Sequence, residues 1–325
     1  MRTVIKTASG LQDRLEAMVR SGTPVNGEKA MGGIQPLAAG ELNFGTKSVR
    51  VCSGQEIIGQ GAETRITWLG GPGDPPLFDI SSFAGNGNAH AIMFANMQIN
   101  APNGGDVIGC SRTHGGAYYP VHKIEKLRLE NVVIRGGRIN LPKDDAELLP
   151  DDDEGKPITG EHYECMFNNV EMVDPVGQAI RLDGFRHTFI GLRINGKARG
   201  QFPLLHLHGG ATFIDGRIEP YGDCPLAWFG SLTMKNGYVH RGDYRAPGGF
   251  HFEHHPSRMP VKSVHLEHST FGGVQFGGTQ DWYWELSDGA ALKLTEEINA
   301  GSIRGDGKLF INGEDRTYQV DRPER

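Results

Sequence analysis

The sequence has no long apolar run. No window of 18 consecutive apolar residues occurs, so no transmembrane helix is predicted. It has no excess of positive charge either. The net charge of -6 disfavours nucleic acid and anionic membrane as partners. Paired cysteines are missing: Cys52, Cys110, Cys165 and Cys224 form no CxxC and no zinc spacing, and read as four buried thiols. The N-terminal MRTVIKTASGLQDRL has no apolar h-region, so no secretory signal is expected. Cytoplasmic synthesis, carriage on a virion, or secretion with a signal already removed all stay open.

A complete nucleotide motif is also missing. In EIIGQGAETRITW (56–68), Gly59 and Gly61 stand as G-x-G after an apolar pair. A dinucleotide turn needs a third glycine and a following helix, yet Thr64 holds that position and RITW continues as a strand. A Walker loop needs Gly-Lys-Ser/Thr, and this stretch has no lysine. Its glycines read instead as tight corners between strands.

What is abundant is glycine, 47 of 325 residues, spread among short apolar runs. That pattern indicates an all-β protein with many turns. One helix is expected over about 10–20: Leu11, Leu15, Met18 and Val19 share a face, Ser9 caps the start and Gly22 ends it. The remainder repeats. A six-residue unit of large apolar, any, Asn-like, any, any, apolar begins at residues 94, 129, 167, 189, 213, 234 and 266. Its third position holds Asn96, Asn131, Asn169, Gly191, Asp215, Asn236 and His268. These residue types tolerate a left-handed backbone, so each unit reads as strand, one-residue corner, strand. Successive starts differ by 35, 38, 22, 24, 21 and 32 residues, so the basic coil is about 22 residues, with insertions in some. A further strand precedes the later corners in AIRLDG (179–184), LLHLHG (204–209), LAWFG (226–230), GFHFEH (249–254) and GVQFGG (273–278). Three strands per coil make a solenoid whose inward residues are buried only by stacking on neighbouring coils.

With its coil length, Asn-type corners and leading helix, the chain resembles the pectin lyase-like superfamily over about residues 10–285. LAAGELNFGTKSVRVCSGQEIIGQGAETRITWLGG (37–71) is similar to that family's first coils. The resemblance implies a single-stranded right-handed parallel β-helix with an N-terminal capping helix. The expected layout is one domain: cap helix 10–22, coils 37–285, and a C-terminal helix-to-strand cap 286–325. The family includes lyases, hydrolases, epimerases, phage tailspikes and adhesins, and none of its best-known pectate lyase signatures is present here. Two insertions stand out. Residues 100–120 are glycine-rich and read as a loop. DDAELLPDDDE (144–154) reads as a solvated loop; its carboxylates leave a calcium ion open, but its spacing is not that of an EF-hand.

Candidate chemistry comes from aligning the strands that precede the corners. With Gly184, Gly209 and Gly230 in register, Ile180, Leu182, Leu205, Leu207, Leu226 and Trp228 point inward. Outward lie Arg181 and Asp183, His206 and His208, Ala227 and Phe229, then His251 and Glu253. A one-residue shift would instead expose Trp228 and bury Phe229. Solvated sheet faces favour Lys, Glu, Thr and Ser, whereas this one collects proton-transfer and anion-binding types. The adjoining loops contribute Lys197, Arg199, Tyr221, Arg241, Tyr244 and Arg245, a basic and aromatic rim suited to an acidic glycan.

Asp183 and Glu253 are three coils apart, about 14 Å, beyond the separation of a glycosidase carboxylate pair. β-Elimination or uronate epimerisation fits better: Arg181 neutralises a uronate carboxylate, His206 or His208, oriented by Asp183, takes the C5 proton, and Tyr221 or Tyr244 serves as the acid. No cofactor is required. In HFEHH (251–255), Pro256 follows at once and no metal is assigned. The alternatives are a glycoside hydrolase of the same fold and a non-catalytic, tailspike-like or adhesin-like glycan binder, for which a trimer is open.

Overall fold

The computed structural model describes residues 5–21, 24–25, 28–29, 33–83, 87–111, 118–121, 123–141, 162–197, 204–221, 227–239, 250–252, 263–267, 270–276, 283–287, 291–294, 302–305, 307–311 and 314–317. The chain is a right-handed parallel β-helix. Three long parallel sheets run along it. The first sheet includes Gln55–Ile58, the first halves of Met93–Asn100, Arg128–Arg135 and Met166–Val173, and then His187–Ile190. The second includes Gly40–Gly45, Thr64–Trp68, the second halves of those same three strands, Arg193–Lys197 and Arg217–Tyr221. The third includes Val49–Val51, Phe78–Phe83, Asp106–Gly109, Arg138–Leu141 and Ile180–Leu182. Two longer strands, Leu205–Ile214 and Ala227–Lys235, begin in the third sheet and end in the first.

The bend between first and second sheets falls where the Asn-like position predicts it. Asn96, Asn131, Asn169, Gly191, Asp215 and Asn236 have φ of 56°, 53°, 52°, 61°, 54° and 50°. Amide hydrogen bonds link three of these corners: Asn131 Nδ2 donates to Asn96 Oδ1 at 3.0 Å, and Asn169 Nδ2 donates to Asn131 Oδ1 at 2.8 Å. Asparagine thus serves twice, by tolerating αL and by carrying a donor and an acceptor to the coils on either side. His268, the last corner, lies outside the described residues.

Inward side chains stack in the lumen. Ile57, Phe94, Leu129, Phe167, Phe189, Phe213 and Met234 are all fully buried and lie on successive rungs of the first sheet. Phe189 and Phe213 stack at 4.5 Å between centroids with rings 8° apart. The helix Ala8–Ser21 closes the N-terminal end, burying Ala8, Leu11 and Leu15. An end coil leaves its backbone groups without a neighbouring coil. Here Gln12 Oε1 accepts from Arg50 N at 2.7 Å, and the Leu15 carbonyl accepts from the buried Gln55 amide at 3.2 Å.

A fourth, short parallel sheet is inserted between third and first: Asn88–His90, Lys123–Glu125, His162–Tyr163 and Gly184–Phe185. It occupies four coils. In the next, Leu205–Ile214 runs straight through with no strand in that position.

Several expectations are revised. The glycine-rich 100–120 segment contains Asp106–Gly109, a rung of the third sheet, because Val107 and Ile108 are apolar enough to be buried. Parallel pairing continues past residue 285: Ala291–Leu294, Ser302–Gly305 and Lys308–Ile311 are strands of the same solenoid. Cys52 and Cys165 are buried as expected, Cys110 is only partly so, and Cys224 lies outside the described residues. The acidic 144–154 segment, the calcium candidate, also lies outside them. In EIIGQGAETRITW, a Cβ on Gly59 would sit 2.2 Å from the Asn96 carbonyl oxygen of the next coil, so this glycine permits coil-to-coil approach. No helix among the described residues is long and apolar enough to cross a membrane.

Candidate active site

The outer face of the third sheet is a ladder. Pairing sets Arg50, Asp79, Gly109, Asn140, Arg181, His206, Trp228, His251 and Gln275 on successive rungs, about 4.8 Å apart. The flanking rows are apolar; Ile139, Ile180 and Leu205 form one, and Leu141, Leu182 and Leu207 the other, all buried. Alternation therefore holds this row outward.

Arg181 and His206 are rung neighbours, as the alignment predicts. Beyond them the alignment is corrected by one residue. Trp228 pairs with His206, and Phe229 pairs with Leu207. Phe229 thus falls in the row of Leu182 and Leu207, and Trp228 in the row of Arg181 and His206. In LAWFG apolar residues flank the tryptophan on both sides, so alternation alone carries no phase there. His251 falls in the same outward row, opposite Trp228.

Asp183 sits where the strand ends. Its N–H donates to the Leu141 carbonyl at 3.1 Å, and its carbonyl accepts from His162 N at 3.2 Å. The backbone then turns into the fourth sheet through Gly184, at φ 129°. A Cβ on Gly184 would lie 1.9 Å from the His162 carbonyl oxygen. Asp183 Oδ2 lies 3.5 Å from Arg181 Nη2; the aspartate side chain is 2% exposed and the arginine 36%. The buried carboxylate is therefore placed to orient a half-exposed guanidinium. Arg181 Nε is buried with no hydrogen-bond partner among the described residues. His206 is buried at 6%.

Behind this pair, inside the lumen, lie His187 and His162. Burial pushes His187 down to about 3, the nearby His162 adds to the shift, and the Asp183 carbonyl opposes it. His162 Nδ1 accepts from Ile124 N at 3.1 Å, which requires that nitrogen to be unprotonated.

The other predicted residues are placed less completely. Lys197 and Tyr221 end two strands of the second sheet and pair on neighbouring rungs. His208 lies within the strand Leu205–Ile214. The side chains of Lys197, His208, Tyr221, Phe229 and His251 are outside the described ones, as are Arg199, Arg241, Tyr244, Arg245 and Glu253 altogether.

The same face also holds residues that sequence reasoning missed. Asp79, 2% exposed, accepts from Ser111 N at 2.7 Å and from Ser111 Oγ at 2.6 Å. Burial raises its pKa, against the Ser111 hydrogen bonds and the Arg50 charge. Asp106 pairs with Arg138 and accepts from Asn140 Nδ2 at 2.9 Å. Their signal was present: Phe78-Asp79-Ile80 and Arg138-Ile139-Asn140-Leu141 alternate as third-sheet strands do. Beside the site, the fourth sheet sets His90, Glu125, Tyr163 and Phe185 on successive rungs. Lys123 lies 5.0 Å from the Tyr163 ring centroid, and the Tyr163 and Phe185 rings are 6.0 Å apart. The Lys123 hydrogen bond holds the Glu125 carboxyl below its ordinary range, with His90 adding to it.

Among the described residues, no group of three or more His, Cys, Asp or Glu is arranged to hold a metal ion.

No protein-family model matches the chain, and no curated protein matches it in sequence. Solved structures do. A protein of Geobacillus virus E2, ORF18, aligns over 94% of this chain at 10% identity and a TM-score of 0.51. This chain spans 60% of that protein's length, and at such identity the likeness shows a shared fold alone. The A-module of the Azotobacter vinelandii mannuronan C-5 epimerase AlgE6 aligns over 94% of this chain and 73% of its own, at 12% identity and a TM-score of 0.34. A pectin methylesterase in complex with a hexasaccharide aligns over 100% of this chain and 94% of its own, at 10% identity and a TM-score of 0.40.

Proposed function

We propose that this chain acts on an acidic polysaccharide laid along the outer face of the third sheet, by β-elimination or uronate epimerisation. The observation that carries the reading is Arg181: its guanidinium is 36% exposed on the ladder face and ion-paired with buried Asp183. A uronate carboxylate pairs with the exposed part of that guanidinium, whose fork geometry matches it. Neutralising the carboxylate lowers the cost of charge that develops when the C5 proton leaves. His206, one rung away, is the base. In elimination, its nitrogen takes the C5 proton, the C4–O bond breaks, C4=C5 forms, and the departing oxygen takes a proton from an acid, for which Tyr221 and Tyr244 are the candidates. In epimerisation, the same carbanion is reprotonated from the opposite face.

A hydrolytic reading rests on a different observation, the buried carboxyl of Asp79, whose raised pKa favours the protonated form a general acid needs. One assay separates the two. The protein is incubated with uronate polysaccharides. Ultraviolet-absorbing unsaturated products mark elimination, a changed uronate ratio without cleavage marks epimerisation, and new reducing ends without absorbance mark hydrolysis. Binding without product supports a non-catalytic role. Arg181→Ala should lower elimination or epimerisation by about 100-fold or more; full activity in that variant would refute the assignment.

A further inference from the structure

The outer face of the second sheet, turned away from the ladder just described, carries a groove of about 450 Å³. Glu41, Arg65, Thr67, Gln98, Asn100 and Arg135 line it. Pairing explains their convergence. Glu41, Arg65 and Gln98 occupy one outward row, and Thr67, Asn100 and Arg135 the next. Every one of these side chains therefore leaves the same surface.

The groove's chemistry is specific. Arg65 is paired with Glu41 at 2.9 Å, but both are well exposed, so that pair is weak and exchangeable. Arg135 is exposed and has no ion pair or side-chain hydrogen bond among the described residues. Two amides stand between the arginines. Carboxylate, amide and guanidinium groups together offer donors and acceptors side by side, the pairing that neighbouring sugar hydroxyls require. The unneutralised Arg135 selects for a negative substituent. Arg65 and Arg135 lie two rungs and two residues apart, roughly 12 Å between Cα atoms, so the ligand is extended. The groove has no aromatic lining on which bases would stack.

We infer that this groove is a second, non-catalytic binding site for an acidic oligosaccharide, with Arg135 holding a carboxylate and Glu41, Arg65, Gln98 and Asn100 holding hydroxyls. The choice of an acidic glycan rests on the reading of the third sheet, but the test separates them. Calorimetric titration with tetragalacturonate and tetramannuronate, and with neutral cellotetraose, is carried out on Arg181→Ala protein, whose third-sheet site is disabled. The variant should still bind an acidic tetramer, and adding Arg135→Ala should weaken that binding by about tenfold or more. Cellotetraose should bind more weakly than the acidic tetramer. Loss of all binding in Arg181→Ala, equal affinity with and without Arg135, or equal affinity for cellotetraose would each overturn the second site. Product formation by unaltered protein and by the Arg181→Ala variant independently judges the third-sheet reading.

Discussion

Acidification should weaken this fold through one buried histidine. Folded His187 has its pKa depressed to about 3, against an ordinary 6.5 when exposed. Between those values the unfolded chain binds a proton that the folded chain refuses, so stability rises with pH across the window and is fully present above it. At pH ~5 the difference costs about 2 kcal/mol, and at pH ~7.5 it costs nearly nothing. The measurement is chemical denaturation at both pH values, for the natural protein and for His187→Met, which keeps an apolar side chain of similar size in the lumen. The natural protein should lose about 2 kcal/mol more than the variant on going from pH ~7.5 to ~5. Other histidines titrate in both proteins, so the comparison isolates position 187. Equal losses would refute the reasoning, as would an NMR titration showing His187 protonated in the folded state near pH ~6.

Other perturbations address the frame and its thiols. Gly184→Ala meets both a positive φ and the His162 carbonyl oxygen, so it should destabilise by about 3 kcal/mol or more, read as a lowered denaturant midpoint. Asn131→Ala removes a side chain with ladder bonds on both sides and strains an αL corner, and should cost about 2 kcal/mol; Asn131→Gly, which relieves the strain, should cost less. Burial pushes the Cys52 and Cys165 thiols up to about 12. In folded protein at neutral pH both should resist alkylation, with Cys110 reacting before them, as peptide mass spectrometry would resolve; rapid labelling of Cys165 would contradict its burial.

The corners were legible because few residue types tolerate φ near +55°, and six of the seven predicted positions are described and adopt it. The Arg181–His206 pairing was legible because apolar residues alternate cleanly through AIRLDG and LLHLHG. Legibility failed where alternation failed. Ala227-Trp228-Phe229 is apolar throughout, and its phase is set only by pairing with Leu205-His206-Leu207. Asp79 and Asn140 lie on strands that alternate in the same way but fall in coils before the stretch aligned on Gly184, Gly209 and Gly230. The fourth sheet could not be read at all: strands of two or three residues such as His162–Tyr163 carry no period. Its corners at Ala91, Lys126, Glu164 and Arg186 have positive φ in residue types that give no warning. The ion pair between Asp183 and Arg181 depends on the strand ending there, a turn that Gly184 alone signals.

The fourth sheet stops at Phe185, one coil before Leu205–Ile214 passes through that position as a single strand. The four coils up to this point carry a fourth side, and the coil that holds Leu205–Ile214 does not. An otherwise repetitive rod thus acquires a step in its cross-section, beside the rung that holds Arg181. A ladder of equal spacings would offer a polymer laid along it many equivalent registers. A step breaks that equivalence: it sets the rung of Arg181 apart from the rungs beside it.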